Sequence, residues 1–289
     1  MKTISVLLLL VSISFAQEYI ISQHLATKSP YWNNITNTPP PAQCDLVHIN
    51  LLARHGSREP TSGDISKFIT FQSSLDTWEN YITNQTYFWL RNWVNPYYPA
   101  QQGELDDNGK WEHFNLGQRT ASRYQTLFSA AYSPTVFPIQ TTQVSRTAVS
   151  ANSFSYGAFQ NTGVLFGYNP MYLYSETEDQ DFNLRFFDNC PTYETVSDES
   201  STSYQSSTYL NAYLPTTTAK VQTILGVDQA VYNISTTDVK TMYTLCSFDV
   251  SVYNTTSDFC SLFDEWDFNM FEYYGDLSSY YEKGYGIPV

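Results

Sequence analysis

The sequence predicts an α/β fold, and one pattern that occurs twice is what predicts it. Residues 47–53 form a mainly apolar, partly β-branched run, followed at once by Arg54-His55-Gly56-Ser57-Arg58-Glu59-Pro60. A run of that length and character reads as a buried strand. Residues 136–142 form a second such run, followed by Ser145-Arg146 and a segment rich in small residues. Open α/β sheets bind ligands outside the carboxyl ends of their strands. The two runs therefore bring Arg54, Arg58 and Arg146 to the same end of one sheet. Segments with helical spacing of apolar residues lie between and after them.

Taken in order, residues 1–16 read as a secretory signal peptide: Met1-Lys2, a largely apolar stretch over 4–15, and Ser14-Phe15-Ala16 before a cut at Gln17. No other stretch reaches the roughly 18 apolar residues a membrane span needs. Residues 17–43 lack steady periodicity, end at Pro39-Pro40-Pro41, and read as an irregular arm carrying Thr27-Lys28-Ser29-Pro30-Tyr31. Ile65, Phe68, Ile69, Leu75, Trp78 and Ile82 recur at helical spacing and predict a helix over 65–81. The aromatic run 87–98 stops at Pro96 and Pro99, and residues 103–109 form a polar turn.

A helix is next expected from about His113 or Asn115 to Tyr132. Arg119 and Arg123 share one of its faces, where pairing with surface carboxylates is favoured over reaching an anionic ligand. His113 is read as solvent-facing or capping. After the second strand and its helix, residues 159–188 mix aromatic runs with acidic turns, and Glu176-Thr177-Glu178-Asp179-Gln180-Asp181 reads as a solvated loop rather than a metal site. The Ser- and Thr-rich residues 192–208 read as a loop or helix edge. Helices are expected over 219–225, 236–250 and 262–281.

Composition narrows the partners. Fourteen basic against 28 acidic residues give a net charge of -14, which excludes nucleic acid or an anionic membrane surface as the natural partner. Only seven arginines occur, and two of them stand in one five-residue window. Each offers a planar fork of donors to phosphate oxygens. His55, between them, carries a nitrogen able to attack phosphorus and form a phosphohistidine. Gly56 allows a turn or a close approach of backbone to ligand, and Pro60 fixes the exit of the loop.

Secretion agrees with four acceptor sequons, at Asn34, Asn84, Asn233 and Asn254. It also agrees with cysteines placed for disulfides rather than zinc. Cys246 and Cys260 are the local pair, enclosing the last sequon.

The run Arg54-His55-Gly56-x-Arg58-x-Pro60 resembles the active-site signature of the histidine acid phosphatases, the superfamily of phytases, lysosomal and prostatic acid phosphatases and multiple inositol polyphosphate phosphatases. Arg146-Thr147-x-x-Ser150-Ala151-x-x-Phe154 resembles that superfamily's second phosphate-binding segment, and Glu104-Leu105, Gly109, Gly117, Arg119 and Arg123 resemble its region after the first helices. Residues 27–31 and 271–288 resemble the inositol polyphosphate phosphatase branch. The resemblance implies a phosphoglycerate-mutase-like (histidine phosphatase) α/β sheet domain with a large helical insertion and with the C-terminal portion missing. It divides the chain into a signal peptide, 1–16, and a partial domain, 17–289. Within that domain about 44–60 and 134–160 are core segments, and about 61–132 and 170–285 are mainly helical lid or insertion.

The implied activity is that of a secreted phosphomonoesterase hydrolysing inositol polyphosphates through a phosphohistidine on His55, with Arg54, Arg58 and Arg146 holding the phosphoryl group and no metal or organic cofactor. The implied location is the secretory pathway, either extracellular or in the lumen of the endoplasmic reticulum or lysosome. One departure matters. Members protonate the leaving group with an acid in a later His-Asp or His-Ala-Glu motif, and none of His24, His48, His55 and His113 is followed by such a sequence. The proton donor is therefore unassigned, and the alternative is a catalytically impaired or inactive phosphate-binding relative. Cys44 and Cys190 are the cysteines whose family partners would lie in the missing segment.

Overall fold

The computed structural model describes residues 19–32, 43–197, 200–256 and 258–282. The expected signal peptide, the Asn34 sequon and the triple proline lie outside them.

Most of the core is helical. Helix α1 (Ser62–Trp78) buries Ile65, Phe68, Phe71, Leu75 and Trp78 at steps of three and four residues. Phe71, not Ile69, continues the stripe, and Ile69 is exposed. Helices α6 (Ser200–Leu225), α7 (Thr236–Tyr253) and α8 (Glu265–Glu282) close around α1 with Val221, Leu225, Val239, Met242, Leu245, Phe248, Phe268 and Phe271. Full burial of such side chains stabilises by about 1.5–3 kcal/mol each.

Helix α6 decides between the loop and the helix edge expected over 192–208, in favour of helix from Ser200 on. After the short α4 (Phe186–Asn189) and α5 (Pro191–Ser197), the chain is helical through the Ser- and Thr-rich stretch and past Pro215. The reason is tertiary. Leu210, Leu214, Thr217, Val221 and Leu225 form a buried stripe, and packing outweighs weak propensity. Thr217 Oγ1 donates to Asp267 Oδ1 at 2.8 Å, and Lys220 is shared by Asp264 and Asp267, which ties α6 to the start of α8. Cys246 and Cys260 are joined by a disulfide that fixes the interior of α7 against the 3-10 turn Asp258–Leu262 before α8, while Cys44 is exposed and Cys190 partly buried.

Helices α2 (Asp107–Arg123) and α3 (Ser145–Ala158) form the other unit. Helix α2 begins earlier than the periodicity suggests, because Asp106 caps it: its Oδ1 accepts from the Gly109 amide at 2.6 Å. It ends at Arg123, well short of Tyr132. The two helices touch backbone to backbone. A Cβ on Gly117 would stand 2.0 Å from the Phe154 carbonyl oxygen, and one on Gly157 would stand 1.9 Å from that of Phe114.

The sheet is small. Strand β1 (Ile139–Gln140) pairs in parallel with β2 (Leu173–Tyr174), with Ile139 opposite Leu173. The second expected strand is thus cut to two residues, and Val136 is exposed. Residues 47–53 form no ladder among the described residues, and Val47 and Leu52 are each 83% exposed. Apolar character made them look buried, yet a strand needs a hydrogen-bonding neighbour, and no described segment supplies one. The acidic run also differs from expectation at one place. Asp181 is buried, and its Oδ1 accepts from the Leu184 amide at 2.9 Å.

The α2–α3 contact is directly testable. Gly157→Ala is expected to lower unfolding free energy by about 3 kcal/mol or more, because rigid backbone meets the new methyl. Urea denaturation of parent and variant measures it, and an unchanged midpoint would reject the backbone contact.

Candidate active site

The loop 54–60 is held by short-range geometry on one side and long-range bonds on the other. Arg58 bridges Leu105 in antiparallel fashion, with the Glu59 amide donating to Glu104 O at 2.9 Å, the Gly103 amide to Pro60 O at 2.9 Å and the Asp106 amide to Ser57 O at 3.2 Å. The stretch 103–106 is therefore a small ladder partner for the loop rather than only a polar turn. Gly56 lies directly against Gly109. A Cβ on Gly56 would be 2.5 Å from the Gly109 carbonyl oxygen, and one on Gly109 would be 2.1 Å from that of Ser57. The glycine at 56 thus serves an approach to another backbone, and it also lines the neighbouring cavity.

Helix α2 turns one face to this loop. Glu112 accepts from the Ser57 amide at 2.7 Å, from Ser57 Oγ at 2.8 Å and from the Tyr31 amide at 2.8 Å. One residue on, His113 is buried and its Nε2–H donates to the Arg54 carbonyl at 3.0 Å. His113 is neither solvent-facing nor a cap; it is a strut under the arginine. Helix α3 supplies the next link. Ser150 Oγ accepts from the Gly56 amide at 3.2 Å and donates to the Arg146 carbonyl at 2.8 Å, which joins the two arginine-bearing segments through one hydroxyl.

These contacts shape a cavity of about 150 Å³ whose lining includes Arg54, His55, Gly56, Ser57, Arg58 and Glu112. The arm supplies Thr27, Lys28 and Ser29, and α7 supplies Phe248 and Ser251. Arg146 is outside that lining but near enough for its charge to disfavour the charged forms of His55, Arg54 and Arg58. Among the described residues none of the three guanidiniums forms an ion pair. Arg54 Nη1 donates to Thr27 O at 2.9 Å and Arg58 Nη1 to Glu59 O at 2.8 Å, while Arg146 Nε is buried without a partner. Neighbouring cations that form no ion pair among the described residues suit an anion, with Glu112 favouring the charge of Arg54 and Asp64 that of Arg58.

His55 is held by its own neighbour. Nδ1 lies 2.7 Å from the Gly56 carbonyl, so Nδ1 carries the hydrogen and Nε2 keeps its lone pair. Burial, with the charges of Arg54, Arg146 and Arg58, brings its pKa down to about 4 against the opposing Gly56 bond. The imidazole is neutral well into the acid range, as a nucleophile must be.

Sequence reasoning did not single out Lys28, Glu112 or Ser150 for the site, although Lys28 and Ser150 stand inside the motif segments. Arg119 is placed differently from expectation: it reaches the Tyr31 ring, 5.4 Å from its centroid, rather than a surface carboxylate. Asn84, Asn233 and Asn254 are exposed.

A neutral histidine beside guanidiniums that form no ion pair among the described residues suits an anionic, phosphoryl-like group in charge and geometry. The family model of the histidine phosphatase superfamily (branch 2) matches residues 45–289, and the chain belongs to that superfamily. It is 29% identical to multiple inositol polyphosphate phosphatase 1 of Dictyostelium discoideum, over 96% of this chain and 50% of the relative. It is 30% identical to a thiamine-repressible acid phosphatase of Schizosaccharomyces pombe, over 94% of this chain and 60% of the relative. In structure it is similar to the crystallised phytase from D. castellii, with a TM-score of 0.69 at 21% identity, covering 93% of this chain and 58% of that one. That likeness shows the histidine phosphatase fold. The chain spans 50–60% of the length of these relatives.

The electrostatics predict a pH effect. The folded pKa of His55 lies below its ordinary 6.5, so its contribution to stability is full above that pH and is lost as pH falls towards 4. Asp106 and Asp249, raised to about 7 chiefly by burial, act oppositely and lose stability as pH rises from 3.8 through 7. The comparison of parent with His55→Asn isolates the histidine. In phosphate-free buffer the parent's melting temperature is expected to drop relative to the variant between pH 6.5 and 4; parallel curves would refute the buried neutral imidazole.

Proposed function

We propose that this chain carries the nucleophile and the phosphate-binding arginines of a secreted phosphomonoesterase acting on inositol polyphosphates through a phosphohistidine. The observation that carries the reading is the Nδ1 bond of His55 to Gly56, which leaves Nε2 free beside Arg54, Arg58 and Arg146. The three guanidiniums hold the non-bridging oxygens and stabilise the charge that develops on them. Nε2 attacks in line, the N–P bond forms, the P–O bond to the leaving group breaks, and that oxygen takes up a proton. Water then attacks phosphorus, the N–P bond breaks, and inorganic phosphate leaves. The names of the relatives, which include inositol polyphosphate phosphatases and acid phosphatases, support the substrate class. The signal-like residues 1–16 and the exposed sequon asparagines support the secretory route.

A second reading, an impaired phosphate-binding relative, is favoured by one feature. Glu112 is the carboxyl in the cavity lining, and its oxygens are occupied by three donors rather than free for a leaving group. Neither His-Asp nor His-Ala-Glu occurs in the 289 residues.

Turnover of inositol hexakisphosphate and of an aryl phosphate at acid pH separates the two readings. His55→Ala is expected to abolish both activities and the acid-labile phosphoenzyme trapped by rapid quench. Arg58→Lys is expected to cost about 10²-fold, since lysine cannot reproduce the fork. A missing proton donor costs about 10²–10⁴-fold on an alkoxide and less on a phenolate. Strong preference for the aryl substrate supports the impaired reading, and efficient turnover of both supports the full enzyme. Phosphoenzyme that persists in His55→Ala would overturn the nucleophile.

A further inference from the structure

We propose that the face shared by α6 and α8 is a docking surface for an uncharged polysaccharide, one that holds the chain on a glycan matrix and leaves the cavity open.

The face is built from aromatic rings. Tyr209 and Tyr213 stand four residues apart on one side of α6, and Trp266 and Tyr273 stand seven apart on one side of α8. Tyr213 meets Trp266 with ring centroids 6.2 Å apart, Tyr209 meets Tyr213 at 4.7 Å, and Tyr209 meets Tyr273 at 4.9 Å. The four rings thus form one continuous line across the two helices. Their contacts are tilted or edge-on, so the rings do not cover one another's faces. Tyr213, Trp266 and Tyr273 remain 43%, 47% and 51% exposed. None of the four lines the cavity beside His55.

Charge and side-chain type decide what fits. Charged residues make up 15% of the chain, yet none occurs from Ser200 to Ala219. A solvent-facing helix ordinarily carries charges on its outer face. Here the exposed positions beside the tyrosines hold Gln205, Ser207, Thr208 and Asn211, which offer neutral donors and acceptors. An ionic partner finds no counter-charge on that stretch, and the exposed carboxylates Glu265 and Asp276 of α8 repel an anionic glycan. A lipid surface calls for exposed aliphatic side chains, whereas the large exposed hydrophobic residues of both helices are all Tyr or Trp. Such rings combine an apolar face with a polar edge. A pyranose presents the complement, a flat face of C–H groups rimmed by hydroxyls. Spacing agrees with this occupant. Trp266 and Tyr273 are separated by about 10 Å along the axis of α8, close to the length of a disaccharide in an extended chain, and the exposed Tyr280 continues the interval.

Native electrophoresis of the full chain through gels containing hydroxyethylcellulose, barley β-glucan or glucomannan tests the surface, with polygalacturonate as the anionic comparison. At least one neutral polymer is expected to retard the chain, and polygalacturonate is not. Trp266→Ala and Tyr273→Ala are each expected to weaken retention about tenfold, the scale of one lost ring contact. Trp266→Tyr and Tyr273→Phe keep a ring and are expected to lose less than about threefold, which separates stacking from damage to the fold. Calorimetric binding of inorganic phosphate is expected to be unchanged in all four variants. Failure of every neutral polymer to retard the chain, or retention that survives both alanine variants, would overturn the proposal. So would sedimentation showing a dimer that Trp266→Ala dissociates, since the face would then belong to a second copy.

Discussion

The contact of Gly56 against Gly109 is the constraint on which the site depends. With both Cβ positions closed by the facing segment's backbone, the loop and the first turn of α2 approach as closely as two peptide segments can. Everything downstream uses that proximity. Glu112 and His113, one turn along α2, are thereby brought under Ser57 and Arg54. The second glycine pair, Gly117 against α3 and Gly157 against α2, holds the Arg146 segment at matching depth. Helix α2 is the ruler, and the loop and α3 are both measured from it.

Different parts of this arrangement were legible in the sequence to different degrees. Local chemistry read well for the Cys246–Cys260 pair, which depends on neighbours in sequence, whereas Arg146, expected around one cavity with Arg54 and Arg58, lies outside that lining. Helices read well where one apolar stripe was long, as in α7 and α8. The α6 helix did not, since its Ser- and Thr-rich start carries no propensity signal and its stripe is defined by α8. Residues 47–53 were misread for the opposite reason, because apolar composition reports a preference for burial and says nothing of whether a partner strand is at hand. The supports Glu112, His113 and Ser150 were illegible as such. Each acts on a residue more than fifty positions away, and only the fold makes them neighbours.

Charge is distributed with similar economy. The chain carries a net -14, yet the cavity collects Lys28, Arg54 and Arg58 with Arg146 close behind. Of the acidic groups near that cluster, Asp64 favours the charges of Lys28 and Arg58 and Glu112 that of Arg54, yet neither forms an ion pair with them among the described residues. Glu112 is occupied by amides and a hydroxyl, and Asp106, raised to about 7 chiefly by burial, caps α2. The local field therefore stays positive inside a molecule that repels anions from a distance, so binding depends on entry into the cavity rather than on long-range attraction.

The Ser150 hydroxyl, placed between Gly56 and the Arg146 carbonyl, has a kinetic consequence. It joins residues 94 apart in sequence, and the Glu112 and His113 bonds close spans of 55 and 59 residues. Ordering chain segments of that length costs entropy before any of these bonds is made. Helix α7 depends on distant partners as well: Asp238 accepts from Ser74 and Asp249 from Tyr97, across 164 and 152 residues. The pocket accordingly exists only once the loop 54–60 has met both α2 and α3. An anion captured there acts on the final folding step, drawing the population towards the completed molecule by mass action.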